Sequence, residues 1–340
     1  MINSRKVFSY FGIFLLASIF ANGVCYFYYS PVLETANYEK FTGAKNVPSD
    51  HNLRGIEGYG NIIIDENGFN NQVDFAMDEA EILFIGSSQT EAQQVNAKEN
   101  YVSLINQEYS ATKAYNLGIS GETFSSTFFR IVPLKENFPN AKMFVFEINK
   151  MPSLEDLQQI EMLLSEDKID NMPGKAMSWM NNNPVTLKAM SMFPMIRLLK
   201  YQYVQWKEKT NGNTKAIPES TLDADAYKQE LRRVLLLGKE KAGTTEIIIF
   251  NLAHTRLNKA GDVEIIPDQG ENEIFQKVCS DISMTYIDMA GPFTTAYQRE
   301  HVLPYGFLNS PIGTGHLNRY GHRIIADTME TVLKDERYIK

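Results

Sequence analysis

The stretch Glu81-Ile82-Leu83-Phe84-Ile85-Gly86-Ser87-Ser88-Gln89-Thr90-Glu91 decides how this chain folds. An unbroken run of apolar, β-forming residues reads as a strand covered on both faces, because a strand with one wet face alternates apolar and polar positions. The glycine and hydroxyl residues that follow make a tight turn into a helix. A serine placed there as a nucleophile has around it the positive end of the helix and free N–H groups, which can steady the oxyanion as an ester carbonyl is attacked. Taken alone, Gly-Ser-Ser also describes an ordinary helix cap.

The same pattern recurs downstream in Lys113–Leu117, Met143–Asn149, Glu246–Leu252 and Met284–Met289. Helical spacing covers Ala97–Ser110, Ser125–Asn137, Asp223–Ala242, Asn272–Ser283 and Arg319–Lys334. This alternation predicts an α/β fold of three layers, α/β/α, doubly wound about a five-stranded, mainly parallel sheet. A ligand site is then expected beyond the carboxyl ends of the strands. Residues Met151–Ala242 are too long for one crossover helix and read as a helical insertion or cap, with amphipathic helices at Leu154–Leu164 and Ala189–Trp206. Its methionines, Met177, Met180, Met190, Met192 and Met195, suit core packing beneath a cap or an adaptable acyl-binding surface.

Upstream, Val7 to Tyr29 carry no charge over a length that spans a hydrocarbon layer as a helix. Arg5 and Lys6 precede the run, so the positive-inside rule leaves residues 1–6 in the cytoplasm and places residues 30–340 on the outer side of the cytoplasmic membrane. An uncleaved single-pass anchor is the preferred reading; a cleaved signal peptide is the rival, lacking a small-x-small site. Residues 30–78 show no sustained period and read as a stalk leading into the core. Within them, Ile62-Ile63-Ile64-Asp65-Glu66-Asn67-Gly68-Phe69 suggests a strand, a turn and an aromatic plug. The core then falls into 79–150 and 243–340, on either side of the insertion at 151–242.

Composition narrows the function. Of 340 residues, 44% are hydrophobic and 22% charged, enough for a sizeable core. Lys plus Arg number 33 against 41 Asp plus Glu, with no basic cluster, which argues against a nucleic-acid partner. The only cysteines are Cys25 and Cys279, so no disulfide forms within the soluble part and no Cys-x-x-Cys metal site exists. Cys279 lies on a helical stretch and reads as core.

Three strand ends carry chemistry-bearing groups: Ser88 after the first, Gly121 in Ile119-Ser120-Gly121-Glu122-Thr123 after the second, and Asn149 at the end of Phe146-Glu147-Ile148-Asn149 after the third. A serine nucleophile needs a base. His316, in Gly313-Thr314-Gly315-His316-Leu317-Asn318, enters the last helix from a glycine-bearing loop that can reach the sheet edge. His254 could line the site, His301 lies in an unpatterned loop, and His322 and His51 read as structural or solvated.

These blocks, in this order, resemble the SGNH or GDSL-type hydrolase superfamily from about residue 60 onward, insertion aside. The resemblance implies a flavodoxin-like sheet, Ser88 as nucleophile, His316 as base, and an oxyanion hole built from Ser88, Gly121 and Asn149. It implies no metal and no organic cofactor. Asn67-Gly68-Phe69 is similar to the lead-in of membrane-anchored bacterial members. Two departures stand out. Ser87 occupies the position where the common pattern has Asp, as in cell-envelope acyl-transfer members. The usual acid before the histidine is also absent, since Gly313 and Thr314 stand there. Either another group orients His316, with Asp288, Asp268 or a backbone carbonyl as the candidates, or the enzyme works as a weaker Ser-His dyad.

The expectation is an extracytoplasmic serine esterase or O-acyltransferase acting on acyl, chiefly acetyl, esters of a surface glycan or lipid-linked polymer. Such an enzyme would work beside envelope polysaccharide-assembly proteins. The alternative is a catalytically inactive glycan-binding or envelope-assembly protein of the same fold. A lipase-like enzyme whose cap takes long acyl chains is a further reading.

Overall fold

The computed structural model describes residues 4–28, 35–39, 43–46, 49–55, 57–109, 112–165, 223–258, 260–268, 270–310 and 313–335. The helix Ser4–Tyr28 belongs to one of two compact units, and the sheet with every site residue from Glu57 onward belongs to the other.

Five strands form the central sheet: β1 (Ile82–Ile85), β2 (Ala114–Asn116), β3 (Met143–Ile148), β4 (Glu246–Asn251) and β5 (Thr285–Asp288). Their spatial order is β5-β4-β3-β1-β2, and every neighbouring pair is parallel. The sheet is therefore wholly parallel where a mainly parallel one was expected. Strand order reverses between β1 and β3, and in such sheets the crevice at that switch point, beyond the strand carboxyl ends, receives the ligand. Ser88 follows β1 and Asn149 follows β3.

The continuous apolar runs are explained by burial on both faces. Ile82, Phe84, Val145, Ile248 and Phe250 pack in one core cluster with α1 (Tyr101–Glu108) and the last helix, α7 (Arg319–Asp335). Leu83, Ile85, Phe144, Phe146 and Ile249 pack in the other. That second layer holds α2 (Ile131–Asn137), α3 (Leu154–Ser165), α4 (Ala224–Ala242) and α5 (Glu271–Asp281).

Differences from the sequence-based expectation have local causes. The run Ala97–Ser110 divides because Asn100 takes an extended conformation and its side chain accepts from Ser103 N at 2.8 Å, capping α1. The run Ser125–Asn137 breaks into the short helix Phe124–Thr127, one 3-10 turn and α2. Restarting at Ile131 puts Pro133 in a first turn, where its missing N–H costs nothing. Helix α6 (Ala290–Glu300) and the hairpin Thr255–Leu257/Val263–Ile265 were not anticipated.

Of the stretch read as an insertion, α3 and α4 line the sheet: Leu157, Ile160, Leu231 and Val234 are fully buried in the same cluster as the strands. Ala189–Trp206 and the five named methionines lie outside the described residues. The segment upstream of the core holds the strands Ser49–Arg54 and Tyr59–Ile64, which pair with each other. The aromatic plug is Phe69, 1% exposed and edge-on to Tyr115. At the N-terminus, Ser4–Tyr28 is one α-helix with Phe11, Phe14, Leu16 and Phe20 exposed. Among the described residues no helix is long and apolar enough to cross a membrane, so insertion of Val7–Tyr29 rests on the sequence alone.

Candidate active site

Strand β1 ends at Ile85, Gly86 turns the chain, and Ser87 caps a helix of one turn, Ser88–Glu91, by accepting from Gln89 N at 3.2 Å. That places Ser88 at the first helical position, half-buried at the sheet rim. Its Oγ lies 2.9 Å from Nε2 of His316, a residue 228 positions away in sequence.

The loop bearing His316 is fixed against the Ser88–Glu91 helix by one side chain. Gln89 Oε1 accepts from Leu317 N at 2.8 Å and Gln89 Nε2 donates to Gly315 O at 3.3 Å, so both chain neighbours of the histidine are held. Asn318 completes the anchorage. Its amide donates to Leu303 O and Gly306 O, and its Oδ1 accepts from Tyr320 N at 2.9 Å at the start of α7.

Nδ1 of His316 meets the carboxylate of Glu57, which also accepts from the backbone N–H of His316 at 3.2 Å. The acid sought near the histidine thus comes from the segment before the core. Neither Asp288 nor Asp268 orients His316. Asp288 accepts from Asn272 Nδ2 at 2.7 Å and from Ala290 N at 3.0 Å, and Asp268 accepts from Gly270 N at 2.7 Å. Both carboxylates serve local turns around α5 and α6. Glu57 escaped notice because Gly55-Ile56-Glu57-Gly58 has no period; a lone carboxylate flanked by glycines just before a strand was the only signal.

Gly315 makes room for this contact. Its φ is +91°, and a Cβ there would sit 2.5 Å from Glu57 Oε1.

The turn after β2 is tied to the Ser88–Glu91 helix through Glu91. Its buried carboxylate accepts from Ser120 N at 2.8 Å and from the Ser120 hydroxyl. On the other side Glu122 pairs with the buried Arg130 at 2.9 Å. Between them Gly121 adopts φ +89° with open space where a side chain would begin. Asn70 and Asn116 brace the helix from beneath, donating to Glu91 O and Thr90 O, both at 2.7 Å. Asn149 accepts at its carbonyl from His254 Nε2 across 2.7 Å, and its side-chain Oδ1 is buried with no partner among the described residues.

The other histidines separate clearly. His254 rests on the Tyr305 ring, centroids 5.6 Å apart, and His301 ends α6. His322 is 1% exposed, stacked on Tyr101, and burial with the nearby His316 drives its pKa down to about 3. It is neutral at any physiological pH and takes no part in proton transfer. Burial pushes the Cys279 thiol up to about 12, which leaves it an inert core residue. Among the described residues no group of three or more His, Cys, Asp or Glu is placed to hold a metal ion.

No family model matches this chain, and no curated protein matches it. Solved structures do. The acetyl xylan esterase AlAXEase is 14% identical with a TM-score of 0.39, the match covering 74% of this chain and 99% of that one. A member of the lipolytic protein G-D-S-L family from Veillonella parvula DSM 2008 is 14% identical with a TM-score of 0.37, covering 75% and 98%. A lipase/acylhydrolase from Enterococcus faecalis is 10% identical with a TM-score of 0.38, covering 77% and 97%. At such scores the weight falls on the geometry of Ser88, His316 and Glu57.

Proposed function

We propose that this chain is a serine esterase or O-acyltransferase of SGNH type, acting on acyl esters of a cell-surface glycan or lipid-linked polymer. One observation carries the reading: Ser88 Oγ stands 2.9 Å from His316 Nε2 while Glu57 occupies Nδ1 of the same ring. A hydroxyl, an imidazole and a carboxylate in that sequence are the parts of a nucleophile activated by a general base.

In the reaction, Ser88 Oγ attacks the ester carbonyl carbon as His316 Nε2 takes the hydroxyl proton. Glu57 holds the ring with Nε2 free to accept and balances the imidazolium that forms. The negative oxygen of the tetrahedral intermediate is received by the N–H groups of Ser88 and Gly121 and the amide of Asn149, each such donor being worth roughly 3 kcal/mol. Collapse breaks the bond to the leaving alkoxide, to which His316 returns the proton. The acyl group remains on Ser88 until water or a sugar hydroxyl, deprotonated by His316, takes it. Hydrolysis and transfer differ only in that acceptor.

The uncharged run Val7–Tyr29 behind Arg5 and Lys6 supports a membrane anchor, placement outside the cytoplasmic membrane and a substrate at the cell surface. Glu57 in contact with His316 supplies a third group that an inactive binding protein of this fold would not need, which favours the enzyme.

The test uses the full chain in detergent with 4-nitrophenyl acetate. Hydrolysis that disappears in Ser88→Ala supports the enzyme; equal rates in both proteins reject it. Adding an oligosaccharide acceptor then separates the two activities, since acetyl found on sugar identifies transfer. For the anchor, the protein should stay with membranes through an alkaline carbonate wash, and release into the supernatant rejects it.

A further inference from the structure

The turn that presents Ser88 rests on a carboxyl group with no part in the proposed mechanism. Glu147, near the end of β3, is 2% exposed. It accepts from the hydroxyls of Ser87 and Thr90, and from Ser87 N at 3.3 Å. Thr90 Oγ1 in turn accepts from Tyr101 OH at 2.6 Å, carrying the network to α1. The packing is tight: a Cβ on Gly86 would collide with Thr90 Oγ1 and lie 2.5 Å from Glu147 Oε2. No cation bonds this carboxyl among the described residues, and burial raises its pKa.

We propose that Glu147 is the positioning residue of the nucleophile, fixing the direction of Ser88 through Ser87 and Thr90. The proposal rests on the hydrolase reading above. Ser87 and Thr90 flank Ser88 and Gln89 in the one-turn helix. Holding both hydroxyls on one carboxyl fixes where the helix starts, and with it the Ser88 N–H and Oγ. A helix this short has little hydrogen bonding of its own to do so.

The chemistry of the pair makes the idea testable, because a carboxylate can be supplied from either side. In Glu147→Gln the new amide accepts one hydroxyl proton and offers N–H to the other hydroxyl, which is left without an acceptor. In Ser87→Asp two buried carboxyl groups share one site and repel. The double variant Ser87→Asp/Glu147→Gln pairs every group again. Its introduced amide accepts from Thr90 and donates to the introduced carboxylate, which still caps Gln89 N.

The experiment measures kcat and KM for 4-nitrophenyl acetate, with melting temperatures, for the wild type, both single variants and the double. Each single variant should lose roughly tenfold or more in kcat, with KM within about twofold, as expected for misaligned chemistry. The double variant should return to within about threefold of the wild type, a coupling of opposite sign to additive loss. Should Glu147→Gln fail to fold, the double variant must still fold and turn over. Unchanged kcat in Glu147→Gln, losses that multiply in the double variant, or a double variant that does not fold would each overturn the proposal while leaving the hydrolase reading intact. A wild type without esterase activity would sink both.

Discussion

Glu57 and His316 stand 259 positions apart in sequence, yet the carboxylate of one meets both the ring Nδ1 and the backbone N–H of the other. The acid is thus carried by the segment upstream of the sheet. Replacing Glu57 by Gln should keep the fold and lower kcat on a model ester by about 10²- to 10⁴-fold, because the ring loses its preferred tautomer and the partner of its charged form. Asp288→Asn and Asp268→Asn should stay within about twofold of the wild type. Steady-state kinetics on the three variants checks both statements.

Gly315 leaves space for that carboxylate, and any side chain there takes it away. Gly315→Ala forces a Cβ into Glu57 and asks an L-residue to hold φ +91°, so kcat should fall by roughly tenfold or more. A crystal structure of the variant should show Glu57 withdrawn from Nδ1. Unchanged activity would mean that the contact contributes nothing to the reaction.

The loop carrying Gly121 is tethered to the Ser88–Glu91 helix by Glu91 and Ser120. Ser120→Ala removes the hydroxyl bond and leaves the backbone one. Loss of a charge-assisted bond of about 1.5 kcal/mol predicts roughly a tenfold fall in kcat if the loop holds the oxyanion. The same variant should label with a phosphonate more slowly than the wild type.

His322 links acidity to stability. In the folded chain its pKa is lowered to about 3 by burial and by the nearby His316, whereas the unfolded side chain titrates near its ordinary value of 6.5. Between those values the unfolded state binds the extra proton, so stability is whole above pH 6.5 and is lost as pH falls toward 3. His322→Phe retains a ring against Tyr101 and cannot titrate. Denaturant unfolding should show the wild type losing up to about 3 kcal/mol more than the variant between roughly pH 7 and pH 4.

The core strands were legible because burial on both faces writes itself as uninterrupted apolar runs such as Ile82–Ile85 and Ile247–Phe250. Ser88 and His316 were legible because each follows a glycine-bearing turn at a recognisable place. Glu57 was not, since its role is set by tertiary contact and leaves no periodic mark. Glu91 and Glu147 were hidden for another reason: nothing in the polar run around Glu91 or in the apolar strand around Glu147 marks a buried carboxylate, and their burial is offset by hydroxyl and N–H donors from distant turns. The helices of the supposed insertion were located at α3 and α4, but their packing on the sheet depends on which face each buries, and spacing alone does not name the partner.

The central claim is that Ser88 is a nucleophile activated by His316. Incubating the full chain with a fluorophosphonate and mapping the adduct by peptide mass spectrometry tests it without knowledge of the natural ester. The account predicts one adduct, on the peptide containing Ser88, absent in Ser88→Ala and formed far more slowly in His316→Ala. A folded wild type that takes no label, or takes it on another residue with Ser88 unmodified, would contradict it.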